Sequence, residues 1–527
     1  MDILLINPYY SQRKEYHSFI VPAPPLALLY LTGYLRKYNV DCKICEFGVF
    51  DPSDAINIGE RVRFGISDEE IKKIIKKENP KIVGITSMYS IYYADVVDIA
   101  KTIKKINNDI KIVLGGNHAS SYYPYILKNQ NIDIVVIGEG ERAFLDLCNV
   151  LLNNGALKNI KGIAYKENGN IIKNEPAEVF SNLDEIPFPA RDSIDFKKYI
   201  PPRHMVPYLM RYPAATIITS RGCPGKCVYC TVKAVWGRTW RGRGAKNVVD
   251  EIEMLVHDYG IKEIVVLDDS ASINKQRWSD ICDEIINRKI DIKWSTPNGI
   301  AHWTLDKNIL DKMKKAGCYR VTFGIESGNA ETRKFLGKPY SLQQAKEMLK
   351  YANKIGMWTI CTNILGFPYE KEDSIRDTIN FAKKCGTDFA TFYLLIPQPT
   401  SDVYGYFKKE NLLNLDAFFE NENPDWYEFE KINYILSETG TDTMFFKKEE
   451  LRRLQKNAYR SFIIYRFLSY AFVPWKILHK LNSWEDFLYC MKLFKNGALI
   501  LFRLLNPFKI GTVHFLYKKG HVKKDTK

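Results

Sequence analysis

Neither of the most apolar stretches of this 527-residue chain, 459–475 and 498–505, offers the ~20 uninterrupted apolar residues of a membrane-crossing helix, because Arg466 and Arg503 break them. Acidic residues are almost missing from 451–527, where only Glu485, Asp486 and Asp525 face sixteen Lys and Arg; about +13 of the net charge of +15 sits there. The rest is near neutral, so a nucleic-acid footprint has little basis outside that region. No basic-then-apolar leader precedes the strand pattern at 2–7. Eight of the eleven cysteines are scattered. Cys42 and Cys45 are three apart in an extended segment, where their side chains leave on opposite faces, so chelation is not expected of them. The expectation is a cytoplasmic, reducing location. At 46% hydrophobic and 26% charged the chain is neither disordered nor fibrous, and its length suits about three domains.

The most telling absence is a fourth cysteine behind Cys223, Cys227 and Cys230. A structural zinc site closes with four ligands and most iron–sulfur carriers use four cysteines, so a C-x3-C-x2-C run leaves one metal position open. An open iron can hold a small molecule. A zinc half-site or three buried thiols are the alternatives. Favouring the cluster, the run follows an expected strand at 215–220 that ends in Arg221-Gly222.

Upstream, apolar strands at 3–7, 41–46, 82–86, 112–114 and 134–137 alternate with helices at 26–37, 68–77, 93–106 and near 124–128. This rhythm predicts a doubly wound, flavodoxin-like parallel sheet over residues 1–145, with ligands beyond the strand ends. At those ends stand Asn7, Thr86-Ser87, Gly115-Gly116-Asn117-His118 and Gly138-Glu139-Gly140-Glu141. A hairpin turning at Asn168-Gly169 opens a linker over 146–205. Strands at 216–220, 263–268, 291–296, 320–325, 358–365 and 389–395, with helices between, predict a partial (β/α)6 barrel over 206–405, and 406–527 reads as mainly helical.

The three-cysteine run with Tyr229 before its last member resembles the cluster motif of the radical S-adenosylmethionine (SAM) superfamily. Residues 24–35, the Gly-Gly-Asn-His-Ala-Ser and Gly-Glu-Gly-Glu strings and the linker at 182–192 resemble the cobalamin-dependent branch, so the likeness spans roughly residues 1–405. It implies three cofactors: a [4Fe–4S] cluster on Cys223, Cys227 and Cys230, SAM on its open iron, and cobalamin on the N-terminal domain. The D-x-H-x-x-G string that supplies a cobalt ligand in other cobalamin proteins is missing. His118 is therefore expected to touch the corrin edge or shape its loop.

The resemblance also implies roles in the barrel. Tyr229 would flank the cluster, Asp268 or Asp269 would meet the SAM amino group, and Glu326 the ribose. Gly366 with Ile396-Pro397 would wall the adenine. Asn7, Thr86, Ser87, Gly115, Gly116, Asn117, Gly138, Glu139 and Gly140 would surround cobalamin. The basic run 236–243 would serve SAM or the inter-domain contact.

By the same likeness, one electron from a donor such as ferredoxin or flavodoxin splits SAM to a 5′-deoxyadenosyl radical. That radical takes hydrogen from an unactivated carbon, which then receives a methyl group from methylcobalamin. Competing readings are a radical cyclase or other carbon–carbon bond-forming enzyme of the porphyrin-cyclase or lipid-modifying type, and a non-catalytic corrin-binding protein with a structural cluster. The basic, aromatic C-terminal region reads either as a soluble helical cap over the active site or as a surface lying on anionic lipid, peripheral at the inner face of the membrane. The latter would favour a lipid over another small-molecule substrate.

Overall fold

The computed structural model describes residues 1–14, 23–200, 206, 208–338, 340–421 and 424–505. The end of the expected linker, 201–205, and the lysine-bearing 506–527 lie outside the described residues. Short apolar runs form one seven-stranded sheet: β1 (Ile3–Asn7), β2 (Lys43–Glu46), β3 (Ile82–Thr86), β4 (Lys111–Gly115), β5 (Ile134–Val136), β6 (Ile163–Glu167) and β7 (Asn170–Lys173). Their order is β7-β6-β5-β4-β3-β1-β2, the first five in sequence being parallel and the last two antiparallel. Direction reverses between β2 and β3, so both faces are covered. Leu4 and Ile6 pack with Val83 and Ile99 on one face, while Ile3 and Leu5 pack with Leu29 and Phe144 on the other.

The hairpin β6–β7 turns at Asn168 and Gly169, both at positive φ, as a two-residue type I′ turn requires. It lies within 146–205 and extends the N-terminal sheet. A small antiparallel sheet of Tyr10–Arg13, Arg61–Phe64 and Ile56–Ile58 was not anticipated. Its first strand, Tyr-Ser-Gln-Arg, lacks apolar alternation and is held by Asp95, which accepts from Ser11 N at 2.7 Å and Oγ at 2.6 Å.

The second sheet has six strands in sequential order: β8 (Ala214–Ile217), β9 (Glu263–Val266), β10 (Lys293–Ile300), β11 (Cys318–Glu326), β12 (Trp358–Leu365) and β13 (Phe389–Leu394). All pairs are parallel, which makes this the expected partial barrel. Val248, Ile252, Trp278, Ile309 and Leu349 of the outer helices pack on Ile217, Ile264, Val321 and Cys361.

Helix Lys448–Phe472 closes the edge that an incomplete barrel leaves open. Gln455 Nε2 donates to Phe392 O at 2.8 Å, and Tyr459 OH accepts from Phe392 N at 3.0 Å, so backbone groups of β13 are satisfied by side chains. Leu451 sits against Gly366 at the carboxyl end, whereas Tyr470 OH reaches Asp388, just before β13, at 2.7 Å. The chain then turns beneath the barrel. Lys480 is buried, 2.8 Å from Asp388 and 2.6 Å from Met357 O, and Tyr489 and Cys490 pack on Tyr319 and Trp358 at the starts of β11 and β12. The expected cap over the active site is thus divided: helices Asp416–Glu420 and Trp426–Thr439 pack on the N-terminal domain, where Trp426 and Phe419 meet His118 and Tyr122, whereas the described helices from Lys448 onward seal the edge and the opposite end of the barrel.

Candidate active site

The three cysteines lie beyond the carboxyl end of β8 in a half-buried loop. Gly225 sits where a Cβ would be 3.3 Å from Cys223 Sγ and 3.6 Å from Cys227 Sγ, so the loop wraps its sulfurs around the glycine. The loop is pinned from several sides. Arg238 donates to Gly225 O at 2.6 Å, Val403 N to Val228 O at 2.8 Å and Val228 N to Leu336 O at 3.3 Å. Burial pushes the Cys230 thiol up to about 11 and raises Cys227, which the Lys338 ammonium pulls back. Metal binding would reverse that balance.

Asp268 and Asp269 stand at the end of β9 with opposite surroundings. Asp268 is buried and accepts from Thr219 N (2.6 Å), Thr219 Oγ1 (2.6 Å) and Ser220 Oγ (2.5 Å). It holds the segment entering the cysteine loop and has no face left for a ligand, which corrects its expected contact with SAM. Asp269 keeps solvent access at one face, but the protein crowded around its other faces, together with the Asp268 charge, raises its carboxyl to about 6. It lies close enough to Cys230 to act on that thiol electrostatically.

Glu326, the last residue of β11, adopts φ 63°, a rare backbone state for a side-chain-bearing residue. Its carboxylate meets Lys338 Nζ at 2.8 Å, and the same ammonium donates to Gly324 O at 3.0 Å and lies 6.0 Å from the Tyr229 ring centroid. Lys338 was not singled out from the sequence, since a turn brings it back from twelve residues beyond Glu326. Gly366 does not form an open wall. Its N–H is taken by Glu370 at 2.8 Å, and a Cβ there would approach Leu451 to 3.1 Å. Pro397 is buried and Ile396 half-buried.

On the N-terminal sheet, Asn7, Thr86, Ser87, Gly115, Gly116, Asn117 and Gly138 do gather at one rim, at or just beyond the carboxyl ends of β1, β3, β4 and β5. Space is open at Gly115, whereas Gly116, at φ 111°, would drive a Cβ to 2.7 Å from Ser87 O. Ser87 Oγ and Asn117 Oδ1 are buried without a hydrogen-bond partner, and Met88 and Tyr89 are exposed beside them. His118 does not join this rim. It is buried between Tyr93 (4.5 Å) and Tyr122 (4.8 Å), its Nδ1 is 2.8 Å from Ser90 Oγ, and burial pushes its pKa down to about 3. Contact with a corrin edge is thus corrected in favour of shaping the loop.

Glu139 is corrected as well. Its carboxylate pairs with Arg221 at 3.0 Å and with Arg241, while Glu141 pairs with Arg221 at 2.5 Å, all four groups being buried. Burial works against the Glu141 charge, but Arg221 outweighs it and keeps the carboxyl below its usual range. Arg221 also lies 5.0 Å from the Trp236 ring centroid. The Gly-Glu-Gly-Glu turn therefore clamps the cysteine loop, and a Cβ on Gly138 would lie 3.3 Å from Val235 O. The basic run serves the same joint: besides Arg238 and Arg241, Arg243 pairs with Glu251, which also meets linker residue Arg191 at 2.7 Å.

Among the described residues no three His, Cys, Asp or Glu side chains converge on one ion. Three thiols around a loop instead suit a multi-iron cluster, where each binds a different iron. The rim, with its orphaned polar atoms and open glycine, suits a bulky ligand. The glycine rim meets the thiol-bearing loop through the Gly138–Glu141 turn, so a cluster and a bulky ligand would lie on adjoining strand ends, the arrangement of a cofactor-dependent enzyme. Residues 217–382 match the radical SAM superfamily and 18–148 the B12 binding domain.

An uncharacterized methyltransferase of Pyrococcus horikoshii is 34% identical over 466 residues, 88% of this chain and 93% of its own length. The cytidylyl-2-hydroxyethylphosphonate methyltransferase of Streptomyces wedmorensis is 27% identical over 80% of this chain and 87% of its own. The structure of the radical SAM methyltransferase TsrM from Kitasatospora setae, with cobalamin and a [4Fe–4S] cluster bound, overlays with a TM-score of 0.63 at 18% identity, covering 78% of this chain and 75% of that one. The chain belongs to the cobalamin-dependent radical SAM family, and its cofactors are a [4Fe–4S] cluster, SAM and cobalamin.

Proposed function

We propose that the protein methylates an unactivated carbon of a small-molecule or lipid substrate held between the two domains. The observation that carries this reading is the direct abutment of the Gly138–Glu141 turn on the 221–230 loop, which sets the glycine rim against the thiols. When bound, cluster and SAM supply a hydrogen-abstracting radical and the corrin supplies the methyl group.

The protein's own groups position these partners and exclude water. Cys223, Cys227 and Cys230 hold the cluster. Asp269 would receive the SAM ammonium, and Glu326, held by Lys338, would accept from a ribose hydroxyl. Tyr229 and Phe367, with ring centroids 6.3 Å apart, give the chamber an apolar side beside the cluster. Ser87, Gly115, Gly116, Asn117 and Gly138 cradle cobalamin through backbone and short side chains. Ferredoxin or flavodoxin serves as reductant. The enzyme works in the cytoplasm with its C-terminal region at the inner face of the membrane.

Anaerobic reconstitution with iron, sulfide and cobalamin tests the assignment. With reductant, SAM and substrate, methylation yields S-adenosylhomocysteine together with 5′-deoxyadenosine; 5′-deoxyadenosine without S-adenosylhomocysteine would instead indicate cyclisation. Cys223→Ser, Cys227→Ser and Cys230→Ser should each lose bound iron and form no 5′-deoxyadenosine, while corrin remains bound. Retention of the full iron content by these variants would overturn the cluster assignment.

A further inference from the structure

Helix Trp484–Leu505 is apolar on more than its packed side. Tyr489, Cys490 and Leu493 face the barrel floor, yet Trp484, Phe487, Leu488, Met491 and Phe494 form an exposed stripe at i, i+3, i+4, i+7 and i+10. Eleven residues of helix carry that stripe for about 15 Å. The preceding helix ends in the same manner: Phe472 is 81% exposed and Trp475, after the turn, 74%, while Trp484 is 71% exposed. Apolar side chains of this size exposed together as one patch mark an interaction surface.

Charge identifies the cover. Lys476 and Lys495 are exposed next to Trp475 and Phe494. The three nearby acids are already engaged: Glu485 and Asp291 share Arg211 at 2.8 and 2.6 Å, and Asp486 accepts from Ser483 at 2.9 Å. In sequence, 506–527 carry six lysines and one aspartate and lie outside the described residues. Tryptophan and phenylalanine flanked by unopposed cations match the interface of an anionic bilayer, where indoles sit at headgroup depth and lysines reach phosphates. Among the described residues no helix is long and apolar enough to cross a membrane, so the surface would lie on the bilayer.

We propose that the turn and helix spanning 464–494 form a docking surface for anionic lipid headgroups. This deepens the location suggested above and is independent of methyl transfer. It also fixes an orientation: the surface lies at the amino-terminal end of the barrel strands, and Cys223, Cys227 and Cys230 lie beyond the carboxyl end. The bilayer therefore holds the enzyme by its floor, with the substrate chamber facing away.

Sedimentation of the full chain with vesicles of phosphatidylglycerol and phosphatidylcholine, against phosphatidylcholine alone, tests this. Binding to the anionic vesicles should be at least about ten-fold tighter at low salt, and should weaken steeply as salt screens the charges. Trp484→Asp/Phe487→Asp, at exposed positions, should abolish sedimentation while iron and corrin contents stay unchanged. No binding by the full chain, or equal binding by the double variant, would overturn the proposal. So would a dimer by light scattering that the same variant converts to monomer, which would assign the stripe to a second copy. Formation of S-adenosylhomocysteine and 5′-deoxyadenosine is unaffected by any of these outcomes.

Discussion

At the scale of single residues, the adjacent aspartates at the end of β9 divide between fold and chemistry. Asp268→Ala strands three buried donors and should cost about 2–4 kcal/mol, read as a fall in the denaturant midpoint. Asp269→Asn should leave that midpoint unchanged and weaken SAM binding about ten-fold, the loss of one charge-assisted contact. Glu370 makes stability depend on pH. It is buried, and desolvation raises its carboxyl to about 7 from an ordinary 4.5, although the Gly366 and Phe367 amides pull it down. Between those values the folded state binds more protons than the unfolded one, so stability falls as pH rises from about 4.5 to about 7 and the loss persists above. Glu370→Gln still accepts from both amides without carrying charge. It should raise stability at pH 8 relative to the wild type by on the order of 1–3 kcal/mol and do nothing at pH 4.5, measured by thermal unfolding at the two pH values.

At the scale of elements, the joint between the Gly-Glu-Gly-Glu turn and the cysteine loop has the energetics of a buried ion network. Its charges gain little over apolar side chains of similar size, but removing one partner leaves another charged and dry. Arg221→Met should destabilise by about 3–5 kcal/mol and loosen corrin retention on gel filtration, whereas Arg221→Met with Glu141→Gln should recover a large part of the loss. A contribution from packing alone would make the double variant no better than the single one. The helix along β13 follows a related rule, covering with Gln455 and Tyr459 a strand edge that a full eightfold barrel would have paired.

At the scale of the whole molecule, both sheets were legible because parallel strands buried on two faces write continuous apolar runs, and the cysteine run was legible because its spacing is local. Lys338 and Arg221 were not, since their partners are set by loop closure between distant segments. Neither was the position of the C-terminal helices, whose apolar faces reveal that they pack but not upon which end of the barrel. Asp268 and Asp269 looked equivalent in the sequence, and only their placement separates them. The pairing of Glu139 with Arg221 also has a consequence for synthesis. The partners are 82 residues apart, so at ribosomal rates the carboxylate emerges roughly 4–16 s before its guanidinium. Through that interval Glu139 and Glu141 stand without the guanidinium that neutralises them, so the N-terminal sheet presents a hydrated, negatively charged rim where the finished enzyme has a dry joint.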